Sequence, residues 1–351
     1  MDVLMRQRCR HGVLLRKQRE QAVASGGVPR HARAADLSPI YNRCNKRVFS
    51  YPHRNCVFAS RPARADRGVL MNAVIDEHAV DQSTDVAAVL NYTRNTGVRP
   101  VNYTFDPPPG VPRNSGEVDP RTVTIRDARP VTGLGLDASG FELIPHRSTL
   151  ADWPSFQSSE LVTAVDYPEV DAALKARTGA EKVIIFDHTL RDSTAEPGRA
   201  SLREPVRRVH DDQTLQSAPD RVRKHLPPEE AAWRLQRRFA ILNFWRPIGG
   251  RVLQTPLAVC DARTIDPEDL LRSDLVYPDW TGETYAVAFN SRHRWYWYPR
   301  QTPSEATLLK IYDSATDGRA RLTAHSAFDD PRSPPNAPAR RSIELRCLLF
   351  W

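Results

Sequence analysis

A mainly β fold with flanking helices, a sandwich or a barrel, is what this sequence predicts. Two observations carry that expectation. Short runs rich in Val, Ile, Phe, Tyr and Trp recur between Pro- and Gly-rich turns, and no stretch alternates strand and helix patterns in the βαβ manner of a parallel sheet. The mean hydropathy of −0.53 and the lack of any run of about 18 apolar residues give no helical membrane span, so a soluble protein without a membrane partner is expected.

In chain order, "VAAVLNYT" (86–93), "TVTIRDA" (122–128) and "FELIPH" (141–146) read as strands, joined antiparallel by turns such as "DPPPGVP" (106–112). The loop "TGLGLDASG" (132–140) lies between the second and third. Its third glycine comes too late, and no helix pattern follows, for a dinucleotide fingerprint. "YPEVDAALKARTG" (167–179) is a helix with Pro168 near its start and Gly179 past its end, and "KVIIFDHTL" (182–190) returns to strand.

Short strands then follow around Val206 to His210, at "FAILNFW" (239–245), "PLAVCDA" (256–262), "YAVAFN" (285–290), "RWYWYP" (294–299), "TLLKIYD" (307–313) and "IELRCLLF" (343–350), with one amphipathic helix, "PEEAAWRLQRR" (228–238), among them. Segments 95–120, 146–160 and 264–283 lack such patterning and are expected to form the mouth of a pocket. Along the last strand, alternation places Arg340, Ser342, Glu344 and Arg346 on one side and Ile343, Leu345, Cys347 and Leu349 on the other. A solvated edge strand explains this pattern without any function.

The net charge of +8 is unevenly placed. Residues 1–70 hold 15 Lys and Arg against 4 Asp and Glu, a net of +11, which leaves 35 against 38, a net of −3, for 71–351. The expected organisation is therefore a basic, disordered leader or over-extended N-terminus over 1–70 and a single domain over 71–351. A core of slightly negative charge speaks against a nucleic-acid partner, and the aromatic run "RWYWYP" fits barrel packing better than base stacking. The five cysteines form no CxxC pair, as expected of a reduced, cytoplasmic protein.

In "RRVHDDQT" (207–214), His210 and Asp212 stand at i and i+2, so on an extended backbone both project to one side. Alternation leaves Asp211 facing away. A third ligand must come from elsewhere in the chain, and "AHSAFDDP" (324–331) supplies His325. Two imidazoles and one carboxylate on one face of an octahedron leave positions open for reactants, the arrangement of non-haem Fe(II) oxygenases. Downstream, Arg340 and Ser342 share a strand face. A guanidinium and a hydroxyl there suit the distal carboxylate of 2-oxoglutarate. Asn243 and Arg246 in "NFWRP" are candidate substrate or cosubstrate contacts, although the adjacent Trp245 fits core packing equally well. His188 in "FDHTLR" has no partner at metal spacing and reads as a satisfied core histidine.

Seven blocks in fixed order, "FDHTLR" (186–191), "RRVHDDQT", "NFWRPIGG" (243–250), "PLAVCDART" (256–264), "HRWYWYPRQTPSEATLLKIYDS" (293–314), "AHSAFDDP" and "RRSIELRCLLF" (340–350), resemble the asaB-type hydroxylase/desaturase family over about residues 85–351. That family is mostly fungal and includes a gibberellin desaturase. The resemblance implies a double-stranded β-helix, or jelly roll, that uses Fe(II), 2-oxoglutarate and O₂ to hydroxylate or desaturate a small-molecule, secondary-metabolite substrate. Metal ligands then fall on His210, Asp212 and His325, and the cosubstrate carboxylate on Arg340 and Ser342. One departure matters: the family often has a proline and a glutamate around that arginine, where this chain has Ala339 and Arg341. The doublet leaves two arginines to choose between, and alternation favours Arg340. The competing readings of the same residues are a catalytically degenerate barrel that binds a metabolite or partner without turnover, and a zinc hydrolase with an activated water.

Overall fold

Fourteen strands in two sheets carry the described part of the chain. The computed structural model describes residues 84–195 and 202–351; the predicted leader 1–70 lies outside them. Strands β1 (Val86–Thr93), β2 (Val101–Tyr103), β3 (Val118–Asp127) and β4 (Phe141–Pro145) come first. Next are the short helices α1 (Trp153–Phe156) and α2 (Ser159–Leu161), a π-helical turn (Val162–Asp166) and α3 (Tyr167–Thr178). Then follow β5 (Lys182–Asp192), β6 (His210–Asp211), α4 (Ala218–His225), α5 (Pro228–Arg234), β7 (Phe239–Pro247), β8 (Leu257–Cys260), β9 (Leu270–Val276), β10 (Thr281–Val287), β11 (Trp295–Trp297), β12 (Glu305–Asp313), β13 (His325–Ala327) and β14 (Arg341–Phe350).

The nine-stranded sheet runs β1-β3-β11-β8-β13-β6-β10-β9-β2 and the five-stranded sheet β4-β12-β7-β14-β5. Together they form a jelly roll. Alternation along β7 and β14 gives the five-stranded sheet its two sides. On its outer face Leu242, Phe244, Ile343, Leu345 and Leu349 form one apolar cluster with Val170 and Leu174 of α3. Those two helix residues are four apart and so share one side of the helix. Gly179 ends α3 in the left-handed conformation (φ 69°), which a side chain would resist.

The inner face of the same sheet is polar near β14 and apolar farther along, where Phe239, Ile241, Leu309 and Phe350 pack with Tyr296 of the other sheet. A third cluster, with Leu90, Ile125, Val209, Trp295 and Trp297, belongs to the nine-stranded sheet. The aromatic run therefore packs within the fold, as expected. Cys260 and Cys347 are both fully buried and reduced.

Three expectations need correction. Strand β14 is not a solvated edge: it lies between β7 and β5, and Arg340, Ser342 and Glu344 are buried. Its polar face thus looks into the barrel. Segment 264–283 contains the regular strand β9, paired along its length with β10. Helix α4 also precedes α5 where one helix was expected. Four charged or polar residues in its last turns (Arg221, Arg223, Lys224, His225) leave only Ala218 and Val222 to pack, too few to mark a helix by pattern. The loop over 132–140 is as expected. Gly140 is required at its end because φ is +86° and a Cβ would lie 3.0 Å from the Leu322 carbonyl oxygen.

Candidate active site

Two of the three predicted ligands are direct neighbours across the sheet. His210 of β6 and His325 of β13 are register partners, which places both side chains on the same face, and their ring centroids are 4.3 Å apart. Asp212 follows just beyond β6, with its Oδ1 3.6 Å from His210 Nε2. One ligand atom from each of His210, Asp212 and His325 lies within 4.8 Å of the others. Asp211 is fully buried on the other side of the strand. Burial, with the Asp212 charge beside it, pushes its carboxyl well above the usual range.

The surroundings prepare these groups to act as ligands. His210 Nδ1 lies 2.7 Å from the Arg208 carbonyl oxygen, so that nitrogen carries the proton and Nε2 keeps its lone pair. Burial, and to a lesser degree His210, lowers the His325 pKa to about 4, which keeps the ring neutral; its buried Nδ1 has no hydrogen-bond partner among the described residues. Asp212 is held ionised. Burial opposes its charge, but Arg346, His210, His325 and a hydrogen bond from Asn243 outweigh it and hold its pKa far below the ordinary value.

The polar face of β14 and its neighbours supplies that support from the facing sheet. Asn243 Nδ2 donates to Asp212 Oδ2 (2.8 Å) and to Glu344 Oε1 (2.6 Å). Arg346 Nε donates to Asp212 Oδ2 at 3.2 Å, and its Nη1 reaches Asp187 and Thr189. Arg191 pairs with Glu344 at 3.3 Å. Asn243, Arg346 and Asp187 share this face because Arg346 is the register partner of the other two on β7 and β5. Sequence reading placed Glu344 and Arg346 on the same face as Arg340 but gave them no role. The signal that they line a site was that alternation itself.

Arg340 and Ser342 lie on this face too. A narrow inner cavity is bordered by His210, His325, Trp245, Arg191, Glu344 and Arg340. Arg340 is 3% exposed and sits over the Trp245 ring; Nη1 donates to the Thr255 carbonyl oxygen at 2.8 Å. Thr255 holds that carbonyl in place at φ 47°, a conformation β-branched residues rarely adopt. Burial, with Arg191 nearby, lowers the Arg340 pKa to about 9, and no carboxylate within ion-pair distance compensates it among the described residues. Arg340 Nε and Ser342 Oγ are buried without hydrogen-bond partners. A buried cation and an idle hydroxyl on the sheet face opposite two imidazoles and an ionised carboxylate fit a divalent metal and a dicarboxylate cosubstrate.

A family model described as an oxidoreductase/YMDC permease-like domain matches residues 90–350. The hydroxylase/desaturase efuI of Hormonema carpetanum is 33% identical over 297 residues, which cover 78% of this chain and 97% of that protein. The Fe(II)/2-oxoglutarate-dependent dioxygenase nvfI of Aspergillus novofumigatus is 35% identical over 262 residues, covering 71% and 90%. The solved structure of the iron and alpha-ketoglutarate-dependent endoperoxidase NvfI superposes with a TM-score of 0.68 at 30% identity, covering 77% of this chain and 99% of that one. The chain belongs to this family of Fe(II)/2-oxoglutarate-dependent oxygenases.

A second cavity of about 420 Å³ opens on His210 and Asp212. That cavity shares His210, Arg191 and Val206 with the inner one and is also bordered by Asp212 and Arg346. Asn102, Tyr103 and Asn114 come from segment 95–120, and Ser273, Leu275 and Tyr277 from 264–283, so two of the three expected mouth segments border it. Segment 146–160 does not; it covers the outer face of the five-stranded sheet, where Phe156 joins the apolar cluster.

Arg246 is also placed away from the site. It lies on the outer face of β7, fully buried, ion-paired with Asp166 and stacked over Phe156 at 4.9 Å. One residue of strand separates it from Trp245, and that is enough to reverse its side. His188 accepts or donates one hydrogen bond with the Tyr167 hydroxyl at 2.9 Å, the satisfied core histidine that was expected. "CDAR" is structural: Asp261 is fully buried, caps a short 3₁₀ turn and pairs with Arg263.

Proposed function

We propose that His210, Asp212 and His325 hold Fe(II), that Arg340 and Ser342 hold the distal carboxylate of 2-oxoglutarate, and that the enzyme hydroxylates or desaturates an anionic small molecule bound in the outer cavity. The observation that carries this reading is the convergence of the three ligand atoms, with His210 and His325 bordering the same inner cavity as the buried Arg340. Bound iron supplies the coupling of 2-oxoglutarate decarboxylation to removal of a substrate hydrogen atom. Arg346 and Asn243 keep Asp212 ionised and aimed, the Arg208 carbonyl fixes the His210 tautomer, and the buried inner face excludes water from the cluster.

The substrate's charge class follows from the outer cavity. Five arginines (191, 203, 208, 221 and 346) and two aspartates (187 and 212) border it. Burial alone lowers the Arg208 pKa, and its guanidinium donates to neutral acceptors, Thr93 and the Gly116 carbonyl. An excess of positive charge over a concave, partly desolvated wall favours an anionic substrate such as a carboxylic acid. Phe186, Tyr103 and Tyr277 offer apolar surface for its body.

The test is succinate release by the full chain after anaerobic Fe(II) loading, on exposure to O₂ and 2-oxoglutarate with no prime substrate. Slow uncoupled turnover that disappears in His210→Ala is expected. Protein that binds neither Fe(II) nor 2-oxoglutarate defeats the proposal.

A further inference from the structure

On the outer face of the five-stranded sheet, His146, Asp166 and Glu169 bring one imidazole and two carboxylates to a single point, with ligand atoms within 4.8 Å of one another. His146 follows β4, Asp166 ends the π-helical turn, and Glu169 lies in the first turn of α3. His146 is 6% exposed and Asp166 fully buried. His146 Nε2, Asp166 Oδ2 and Glu169 Oε2 are all buried and without a hydrogen-bond partner among the described residues. Folded proteins leave few such atoms, and three at one point call for an occupant.

The opposite ends of these groups are already held. Asp166 Oδ1 accepts from Arg246, and Glu169 Oε1 accepts from Thr149 N at 3.0 Å and Thr149 Oγ1 at 2.7 Å. The His146 ring stands edge-on to Phe244 at 4.8 Å. Each side chain is thus oriented by a neighbour and presents its remaining donor atom inward, as ligands supported from behind do. Burial, and then Arg246, lowers the His146 pKa, so the imidazole keeps a free lone pair. Two carboxylates against one guanidinium leave the cluster negative. A cation with bonds of about 2.0–2.2 Å matches this donor set.

We propose that His146, Asp166 and Glu169 form a second divalent-cation site, separate from the oxygenase cluster, that takes a Zn²⁺-class ion and joins the end of β4 to the π-helical turn and α3. Three protein ligands leave a coordination position for water. The ion adds a staple to the contacts already there: apolar packing, the Asp166 ion pair with Arg246, the Arg177–Glu142 ion pair between α3 and β4, and the Thr149 hydrogen bonds to Glu169.

The experiment uses the full chain carrying His210→Ala and His325→Ala, so that the oxygenase cluster cannot contribute. Equilibrium dialysis against Zn²⁺, and the visible spectrum on Co²⁺ titration, are compared with and without the added change Glu169→Gln. That amide keeps an oxygen for Thr149 and spares the fold, which circular dichroism verifies. The parent is expected to bind one equivalent more than the Glu169→Gln protein and to melt at a higher temperature with Zn²⁺, a shift the Glu169→Gln protein lacks. Metal bound by histidines and cysteines elsewhere cancels in the difference. His146→Gln should behave like Glu169→Gln. Equal stoichiometry and equal melting in the pair overturn the site and leave a buried water as its occupant.

Discussion

Asn243 donates a 2.8 Å hydrogen bond to Asp212, joining the five-stranded sheet to a metal-ligand candidate in the nine-stranded one. Its same nitrogen also serves Glu344 at 2.6 Å, so one amide keeps two carboxylates apart and aimed. Asn243→Ala frees Asp212 to rotate and should weaken Fe(II) binding by about 10–100-fold, the usual cost of losing a group that orients a ligand. Asn243→Asp sets a third carboxylate against Asp212 and Glu344 and should destabilise the fold more than the alanine change. Fe(II) titration and thermal melting of the two variants check both. Unchanged Fe(II) affinity in Asn243→Ala would remove Asn243 from the site.

The doublet Arg340-Arg341 separates by function. Arg340 is buried beside the cluster, whereas Arg341 is half exposed, pairs with Asp192 at 3.0 Å and lies over Trp153. Arg340→Gln should cost 2-oxoglutarate about 1.5–3 kcal/mol, roughly 10–150-fold in affinity, with metal binding retained. Arg341→Ala should leave cosubstrate affinity alone and shift stability by less than about 1 kcal/mol. Calorimetric titration of 2-oxoglutarate into Mn²⁺-loaded protein measures both. A reversed order of effects would exchange their roles.

The adjacent aspartates give an equally direct contrast. Asp212→Ala should abolish Fe(II) binding. Asp211 is fully buried on the other side of the strand and its carboxyl is pushed well above the usual range, so the near-isosteric Asp211→Asn should bind Fe(II) within about threefold of the parent. Metal content after anaerobic loading and desalting decides between them, and loss of iron in Asp211→Asn would contradict the assignment of sides.

Much of this site was legible in the sequence because strand geometry is periodic. The two-residue step from His210 to Asp212, and the alternation of Arg340, Ser342, Glu344 and Arg346, survive folding unchanged. What alternation could not give was the direction of each face. The polar side of β14 reads as a solvated edge until β5 and β7 are known to flank it, pairings between residues 95–168 positions apart. The same limit explains Arg246: "NFWR" shows that Asn243 and Arg246 lie on opposite faces, yet both were taken as site candidates because the apolar partners of each face are remote in sequence. Helix α4 was hidden by its charged surface, and β9 by a lack of alternation in burial. His146 and Glu169 carried no sequence signal at all. They come from separate elements, and only the packing of α3 on the sheet unites them.

The basic leader yields a prediction about charge. The family match begins at residue 90 and the first strand at Val86. A chain starting at Met71 should retain Fe(II) and 2-oxoglutarate affinity and the melting temperature of the full chain. Its formal charge falls from +8 to −3, so it should leave a cation-exchange column that retains the parent at neutral pH. Insolubility of the shortened chain would place the leader within the folded core.

Acid stability should be set in part by Asp313, which borders neither cavity at the candidate site. It is fully buried at the end of β12 and accepts from Arg238 at 2.8 Å, Lys310 at 3.0 Å and the Ala315 backbone at 3.0 Å. Burial pushes its carboxyl up, but Arg238 and Lys310 prevail and hold it below the ordinary value. A carboxylate depressed in the folded state contributes stability that is complete above its unfolded pKa, about 3.9, and is lost as pH falls through the folded value. Lys310, 1% exposed, depends on this partner and on the exposed Asp137. Asp313→Asn should therefore cost up to about 3–5 kcal/mol at pH 7, since it leaves the buried Lys310 ammonium with the exposed Asp137 as its carboxylate partner. The gap should narrow progressively below about pH 4, where the parent's carboxylate also loses its charge. Urea unfolding of metal-free parent and variant between pH 7 and 3 measures it, and two curves that stay parallel throughout would show that Asp313 is not the titrating group.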